Sequence, residues 1–295
     1  MKPSKSEFVS LRERRHHVRI WGADDAPPLF CLHGWGDVGA SFQFVADALR
    51  GDWRVIAPDW RGFGLSQWNA GPYWFPDYIA DLDALLEHYS PAQPARLVGH
   101  SMGGNVAGLY AGIRPERVAR FANLEGFGLW VVAPDEAPAR LAKWLAEQRG
   151  EAPAFRRYAS CAEFAERLCR DNPRLTPERA VFLATHSLRD AEDGEGSVTF
   201  AADPRHRWIN PVLYRMEEAK ACWRRITAPT LWLAARDSFV MKGFAARPDD
   251  YRERLACYAD VREVVLDDCG HNLHHDRPGA VARLLDDFLA APPGG

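Results

Sequence analysis

Short apolar runs recur along the chain at 29–32 (LFCL), 54–57 (RVIA), 96–99 (RLVG), 118–124 (VARFANL), 230–234 (TLWLA) and 262–266 (REVVL). They are continuous rather than alternating, which is the pattern of strands covered on both faces in a parallel sheet. Segments at 41–49, 76–88, 103–113, 247–259 and 278–289 lie between or after them and carry helical spacing of apolar positions. The β-α-β-α order predicts an α/β fold, a mostly parallel sheet with helices on both faces.

The stretch 127–226 breaks this rhythm. It carries little strand pattern, and segments at 137–149, 161–170, 177–189 and 211–225 read as helices punctuated by Pro and Gly. A helical insertion between two halves of an alternating pattern predicts a lid over the carboxyl ends of the strands. The expected division is a core in two parts, 1–126 and 227–295, with an inserted helical cap at 127–226.

One corner carries chemistry. RLVGHSMGG runs from an apolar strand straight into a helix, with Ser101 fenced by Gly99, Gly103 and Gly104. An abrupt strand-to-helix turn leaves no room for flanking side chains and strains the central residue. That residue is pushed out at the tip, where the helix that starts near Met102 aims its backbone N–H groups. The result is an exposed nucleophile beside a partial oxyanion hole, the arrangement known as a nucleophile elbow.

A serine hydroxyl needs a base, and the base needs an acid to orient it. TLWLAARDS ends a strand at Asp237, and VVLDDCGHNLHH ends the last strand at His271 in a Gly-His turn. Asp237 as acid and His271 as base follow the chain order Ser, acid, His. Glu125, which closes VARFANLE, is the alternative acid from the neighbouring strand. Asp267 and Asp268 read as capping or loop groups, and His100 as a structural group pointing away from Ser101. His271, His274 and His275 resemble a metal-ligand spacing, but no acidic ligand set accompanies them in the sequence, so no metal and no cofactor are expected.

The turn LHGWGD after the first apolar run predicts the second oxyanion donor. The backbone N–H groups of Trp35 and Met102 are the expected pair. Aromatic residues gather at expected loop ends: Trp35, Trp68, Tyr73, Trp74, Phe75, Phe127, Trp130 and Phe239. Those directly after strands, Trp35, Phe127 and Phe239, are the expected substrate-binding residues. Within the motifs only Arg61 and Arg236 are basic, and Arg61 reads as a loop buttress, so an uncharged ester or thioester is expected.

Composition narrows the classes further. The 295 residues are 47% hydrophobic with a net charge of −3, enough for one large core and without the basic excess of a general nucleic-acid binder. The basic cluster from Arg12 to Arg19 reads as a solvated strand or arm. No run approaches the roughly 20 apolar residues of a membrane span, and the N-terminus lacks the apolar stretch of a secretory signal. The six cysteines are scattered without CxxC, as expected of reduced thiols in a cytoplasmic protein. The tail APPGG is expected to fray. The sequence is silent on oligomeric state.

The stretches LFCLHGWGD, RVIAPDWRGFGLS, RLVGHSMGG, PERVARFANLEGFG, TLWLAARDS and CGHNLHHDRP together resemble the α/β-hydrolase superfamily over nearly the whole chain. NLEGFG and GHNLHHDRP resemble most its serine-hydrolase-like group. The resemblance implies an eight-stranded sheet, a cap after the sixth strand and the triad Ser101, Asp237, His271. The acid strand departs from relatives, reading Ala234-Ala235-Arg236-Asp237 where a glycine often precedes the aspartate. The expected activity is serine hydrolysis of an uncharged, largely apolar carboxylic ester or thioester through an acyl-enzyme. C–C bond hydrolysis, perhydrolysis, acyl transfer and a non-catalytic ligand-binding role are the alternatives.

Overall fold

A computed structural model describes residues 1–290; the APPGG tail lies outside the described residues. An N-terminal hairpin opens the chain, β1 (Ser4–Leu11) and β2 (Arg14–Trp21). Its two-residue turn, Arg12-Glu13, has positive φ at both positions, 49° and 61°, the twist that suits a tight hairpin. Then follow β3 (Pro28–Leu32), α1 (Gln43–Ala48), β4 (Arg54–Pro58), α2 (Phe75–Tyr89), β5 (Ala95–His100), α3 (Met102–Ile113) and β6 (Val118–Leu124).

After the intervening stretch come β10 (Thr230–Ala235), α8 (Phe239–Ala245), α9 (Pro248–Leu255), β11 (Val261–Leu266), α10 (Leu273–Asp276) and α11 (Pro278–Ala290). The main sheet has eight strands in the order β1-β2-β4-β3-β5-β6-β10-β11. β2 pairs antiparallel with both neighbours, and the pairs from β4 to β11 are parallel.

Alternation within the strands builds two core layers. Phe30, Leu32, Ile56, Leu97, Phe121 and Trp232 face one side, under α2 and α3. Leu29, Cys31, Val55, Ala57, Val98 and Leu231 face the other, under α1 and α11. Both faces are dry at the centre of the sheet, which is why β3, β4 and β10 read as nearly unbroken apolar runs.

The basic cluster is only partly a solvated arm. β2 lies between β1 and β4, and burial takes in His16 and His17, whose rings meet Asp81 and Asp59. His16 and His17 are consecutive and point to opposite faces of the strand, so both faces of β2 are covered there, while Arg15 beside the hairpin turn stays exposed.

Between β6 and β10 lie α4 (Ala137–Glu147), α5 (Cys161–Asp171), α6 (Pro177–Ser187) and α7 (Met216–Trp223). The stretch also holds a small antiparallel sheet of β7 (Arg157–Tyr158), β8 (Leu188–Asp190) and β9 (Val198–Phe200), so the helix expected over 177–189 ends at Ser187. Tyr158, Phe164, Leu175 and Leu183 form a separate apolar cluster there, joined by Phe44 of α1. α7 packs on α3, with Met216, Ala219 and Trp223 in the main core. No helix among the described residues is long and apolar enough to cross a membrane.

Candidate active site

Ser101 closes β5 with φ 50° and ψ −114°, a backbone conformation that costs free energy outside glycine. The surroundings hold it there. The Ser101 N–H donates to the Leu124 carbonyl at 2.9 Å, and Asn105 N–H donates back to the Ser101 carbonyl at 3.0 Å. Gly103 backs onto the Leu32 and His33 carbonyls, where a Cβ has no room. The turn therefore wedges β5 and α3 against the end of β3.

His271 follows β11 and lies over the elbow. Its Nε2 is 3.0 Å from Ser101 Oγ, and its Nδ1 is 2.8 Å from Glu125 Oε2. A carboxylate only accepts, so Nδ1 carries the proton and Nε2 is left to accept from the serine. The Glu125 side chain is 0% exposed. Its other oxygen, Oε1, accepts from Ala235 N–H at 2.7 Å and from Ser238 Oγ at 2.9 Å. A positive φ of 56° at Glu125 turns the chain at the end of β6. β6 lies beside β5, so a long carboxylate there reaches across to the histidine.

Asp237, expected as the acid, is not beside His271. Its side chain is 43% exposed, and its Oδ2 accepts from Arg174 at 2.5 Å. β10 is one strand further from the serine than β6, and the shorter aspartate is drawn outward by that arginine. The neighbouring pair meets other partners: Asp267 binds Arg236, and Asp268 binds Arg174 and Arg277.

His100 is buried beneath the site, and its Nε2 donates to the His271 carbonyl at 2.9 Å. Burial, with His274 and His271 nearby, holds its pKa well below the ordinary histidine value, so it is a neutral prop. His271 turns to the serine, while His274 and His275 turn to Asp37. His274 Nε2 is 3.3 Å and His275 Nε2 3.5 Å from Asp37 Oδ2, all three residues buried. These are the side chains here with the spacing to hold a cation. Asp37 also accepts from Val38 N–H and Ser41 Oγ, at 2.9 and 2.8 Å. Burial pushes the Asp37 carboxyl up, but the two histidines outweigh it and hold it well below the usual range. Burial lowers His274 to about 4. The cluster ties the turn after β3 to the helix after His271.

Trp35 and Met102, the expected oxyanion donors, follow Gly34 and Ser101 directly in the chain. Gly34 lies against Ser101 Cβ, and Met102 is the first helical residue, whose N–H has no carbonyl one turn back. Trp35, Ser101 and Met102 all line a cavity of about 640 Å³. Trp74, Phe75 and Trp130 from the expected aromatic set line it too.

Phe127 does not line it. Its ring is buried and stacks on Trp232 at 3.8 Å, beneath the floor of the site. Phe239 is 66% exposed and lies 4.7 Å from the His271 ring, on the outer side of the histidine rather than along the cavity. Sequence reasoning missed Leu109, Ile113 and Tyr214 as lining residues. The signal for the first two was their spacing after the serine on α3. Arg61 is buried and paired with Asp81 and Asp77, as a buttress of the loop after β4.

The family model for the alpha/beta hydrolase fold matches residues 27–278. The chain belongs to the α/β-hydrolase fold family. A "serine hydrolase-like protein" of Danio rerio is 29% identical, over 98% of this chain and 90% of that one. A "3-hydroxybutyrate-oligomer hydrolase" of Cupriavidus necator is 30% identical, over 92% of each chain. The solved structure of a hypothetical protein of Pseudomonas aeruginosa superposes with a TM-score of 0.83 at 28% identity, over 97% of this chain and 100% of that one. Membership of this hydrolase family agrees with the eight-stranded sheet and the elbow.

Proposed function

We propose that this α/β-hydrolase is a serine hydrolase that cleaves an uncharged, largely apolar carboxylic ester or thioester through an acyl-enzyme. The observation that carries this reading is the relay Ser101 Oγ, His271, Glu125, with contacts of 3.0 and 2.8 Å. In this reading Glu125, not Asp237, is the acid.

His271 Nε2 takes the serine proton as Oγ attacks the substrate carbonyl carbon. The backbone N–H groups of Trp35 and Met102 receive the oxyanion. The imidazolium is stabilised by Glu125, which is fixed by its two other donors and cannot swing away. The tetrahedral intermediate collapses, and the leaving alkoxide or thiolate takes the proton from Nε2. Water then repeats the cycle on the acyl-serine, with His271 again as base. The insertion at 127–226 acts as the cap and supplies Leu129, Trp130 and Tyr214 to the cavity wall beside the acyl-enzyme. The apolar lining of the cavity supports an uncharged substrate. The six unpaired cysteines suit a reducing compartment such as the cytoplasm.

The experiment is hydrolysis of p-nitrophenyl esters from acetate to palmitate by the wild type and Ser101→Ala. Turnover by the wild type alone supports the reading; background rates from both proteins on every ester overturn it.

A further inference from the structure

The cavity at Ser101 is elongated along one helix. From the serine it follows α3 past Asn105, Leu109 and Ile113, one residue per turn on one side of the helix. Twelve residues at a rise of 1.5 Å make this wall about 18 Å long. Phe75 and Ile79 of α2 face it, as do Leu129 and Trp130 after β6 and Val212 before α7.

The lining is apolar yet open to water. Ile113 is 46% exposed and Leu129 56%. Trp35, Trp74, Trp130 and Val212, lining the same cavity, are among the most exposed large apolar residues of the chain. A contiguous exposed apolar surface of this kind is what a bound apolar ligand covers. Three of its polar members are engaged elsewhere: Asn105 Oδ1 accepts from Gly128 N–H at 2.7 Å, Arg140 donates to the Asn210 carbonyl at 2.9 Å, and Arg215 faces Glu218 at 3.6 Å, while the Tyr214 hydroxyl is buried at the wall without a hydrogen-bond partner among the described residues.

We propose that this groove binds a long straight acyl chain, with its carbonyl at Ser101 and its methyl end at Ile113. The assignment rests on the hydrolase reading above and names its substrate class: acyl groups of about 12–16 carbons. An extended chain advances about 1.2 Å per bond, so about 18 Å holds roughly fifteen bonds. The groove begins at the nucleophile, so it holds the acyl part in both half-reactions. Each further methylene that leaves water then raises kcat/KM about three- to fourfold until the groove is filled.

The test is the chain-length profile of kcat/KM on p-nitrophenyl esters from C2 to C16, with Leu109→Trp and Ile113→Trp. Leu109 lies about 12 Å from the serine by helical rise. The expected wild-type profile rises to C12–C16. Leu109→Trp lowers the C12-to-C4 ratio at least tenfold, and Ile113→Trp lowers only the C16-to-C12 ratio. Ile113 is half exposed, so its variant decides the question if Leu109→Trp does not fold. A wild-type optimum at C2–C4, or ratios unchanged in the folded variants, overturns the proposal.

Binding of laurate and butyrate to Ser101→Ala, measured by calorimetry, separates this inference from the hydrolase reading. If no ester is turned over, laurate binding that is lost in the Ser101→Ala, Leu109→Trp double variant and kept in the Ser101→Ala, Ile113→Trp one still supports the groove. Equal or absent binding of the two acids refutes it.

Discussion

Glu125 Oε2 lies 2.8 Å from Nδ1 of His271, while the Asp237 carboxylate turns away to Arg174. Two carboxylates close adjacent strands, β6 and β10, and only one faces the histidine. Replacement of the acid removes the group that fixes the imidazole tautomer, and in serine hydrolases this costs about 10⁴ in kcat. Glu125→Gln is therefore expected to lower kcat by about 10³–10⁴ with KM little changed. Asp237→Asn is expected to stay within about twofold of wild type, since a half-exposed ion pair contributes little. Steady-state kinetics on one ester checks both, with circular dichroism to establish folding.

His100 supports the active histidine through its backbone, donating to the His271 carbonyl at 2.9 Å. His100→Phe keeps an aromatic ring, slightly larger, and removes that donor, so it acts on the position of His271 rather than on the chemistry. The expected result is a kcat loss of about 10-fold or more, with Ser101 still labelled by a fluorophosphonate, only more slowly. His100→Asn, which restores a donor, recovers part of the rate. Equal loss in both variants would contradict the positioning role.

Several buried histidines make stability depend on acid. Burial lowers His274 from the ordinary 6.5 to about 4 and His206 to about 3. Between pH 6.5 and these values the unfolded chain binds protons that the folded one refuses. Their stabilisation is thus complete above 6.5 and is lost as pH falls through the window. Thermal melts are expected to show a constant Tm from pH 7 to 8 and a steady fall from 6.5 to 4. His206 is stacked between Phe63 and Tyr73 at 3.9 and 3.6 Å. His206→Phe keeps the stacking and makes the acid slope shallower by up to about one proton.

The elbow tolerates no added carbon on the inside of its turn. At Gly103 a Cβ would run into the Leu32 carbonyl, which is backbone of β3 and cannot swing aside. Gly103→Ala is expected to cost about 1–3 kcal/mol or more. A fall of several degrees in Tm, or loss of soluble protein, is the readout, whereas an unchanged Tm would contradict this packing.

What the sequence made legible follows from which interactions are local. The central strands β3, β4 and β10 were visible because both faces of each are buried, so their apolar runs are nearly unbroken, whereas β11, at the sheet edge, carries Arg262 and Glu263. Ser101 was visible because the glycine pattern around a strand-to-helix turn is itself the structural requirement. Both candidate acids, Asp237 and Glu125, were visible at strand ends, but which of them faces His271 was not, because that depends on a positive φ at Glu125 and on Arg174, distant in sequence from Asp237. Phe127 followed a strand like a pocket residue, but its ring stacks on Trp232 of another strand. The small β7–β8–β9 sheet has strands of two or three residues, too short for a period of two to register.

The most direct measurement is mass-spectrometric mapping of a fluorophosphonate adduct, which reports an activated serine without any assumption about substrate. The account predicts one adduct, on Ser101, abolished by Ser101→Ala, strongly slowed by Glu125→Gln and undisturbed by Asp237→Asn. An unlabelled wild type, or labelling that depends on Asp237 and not on Glu125, would contradict it.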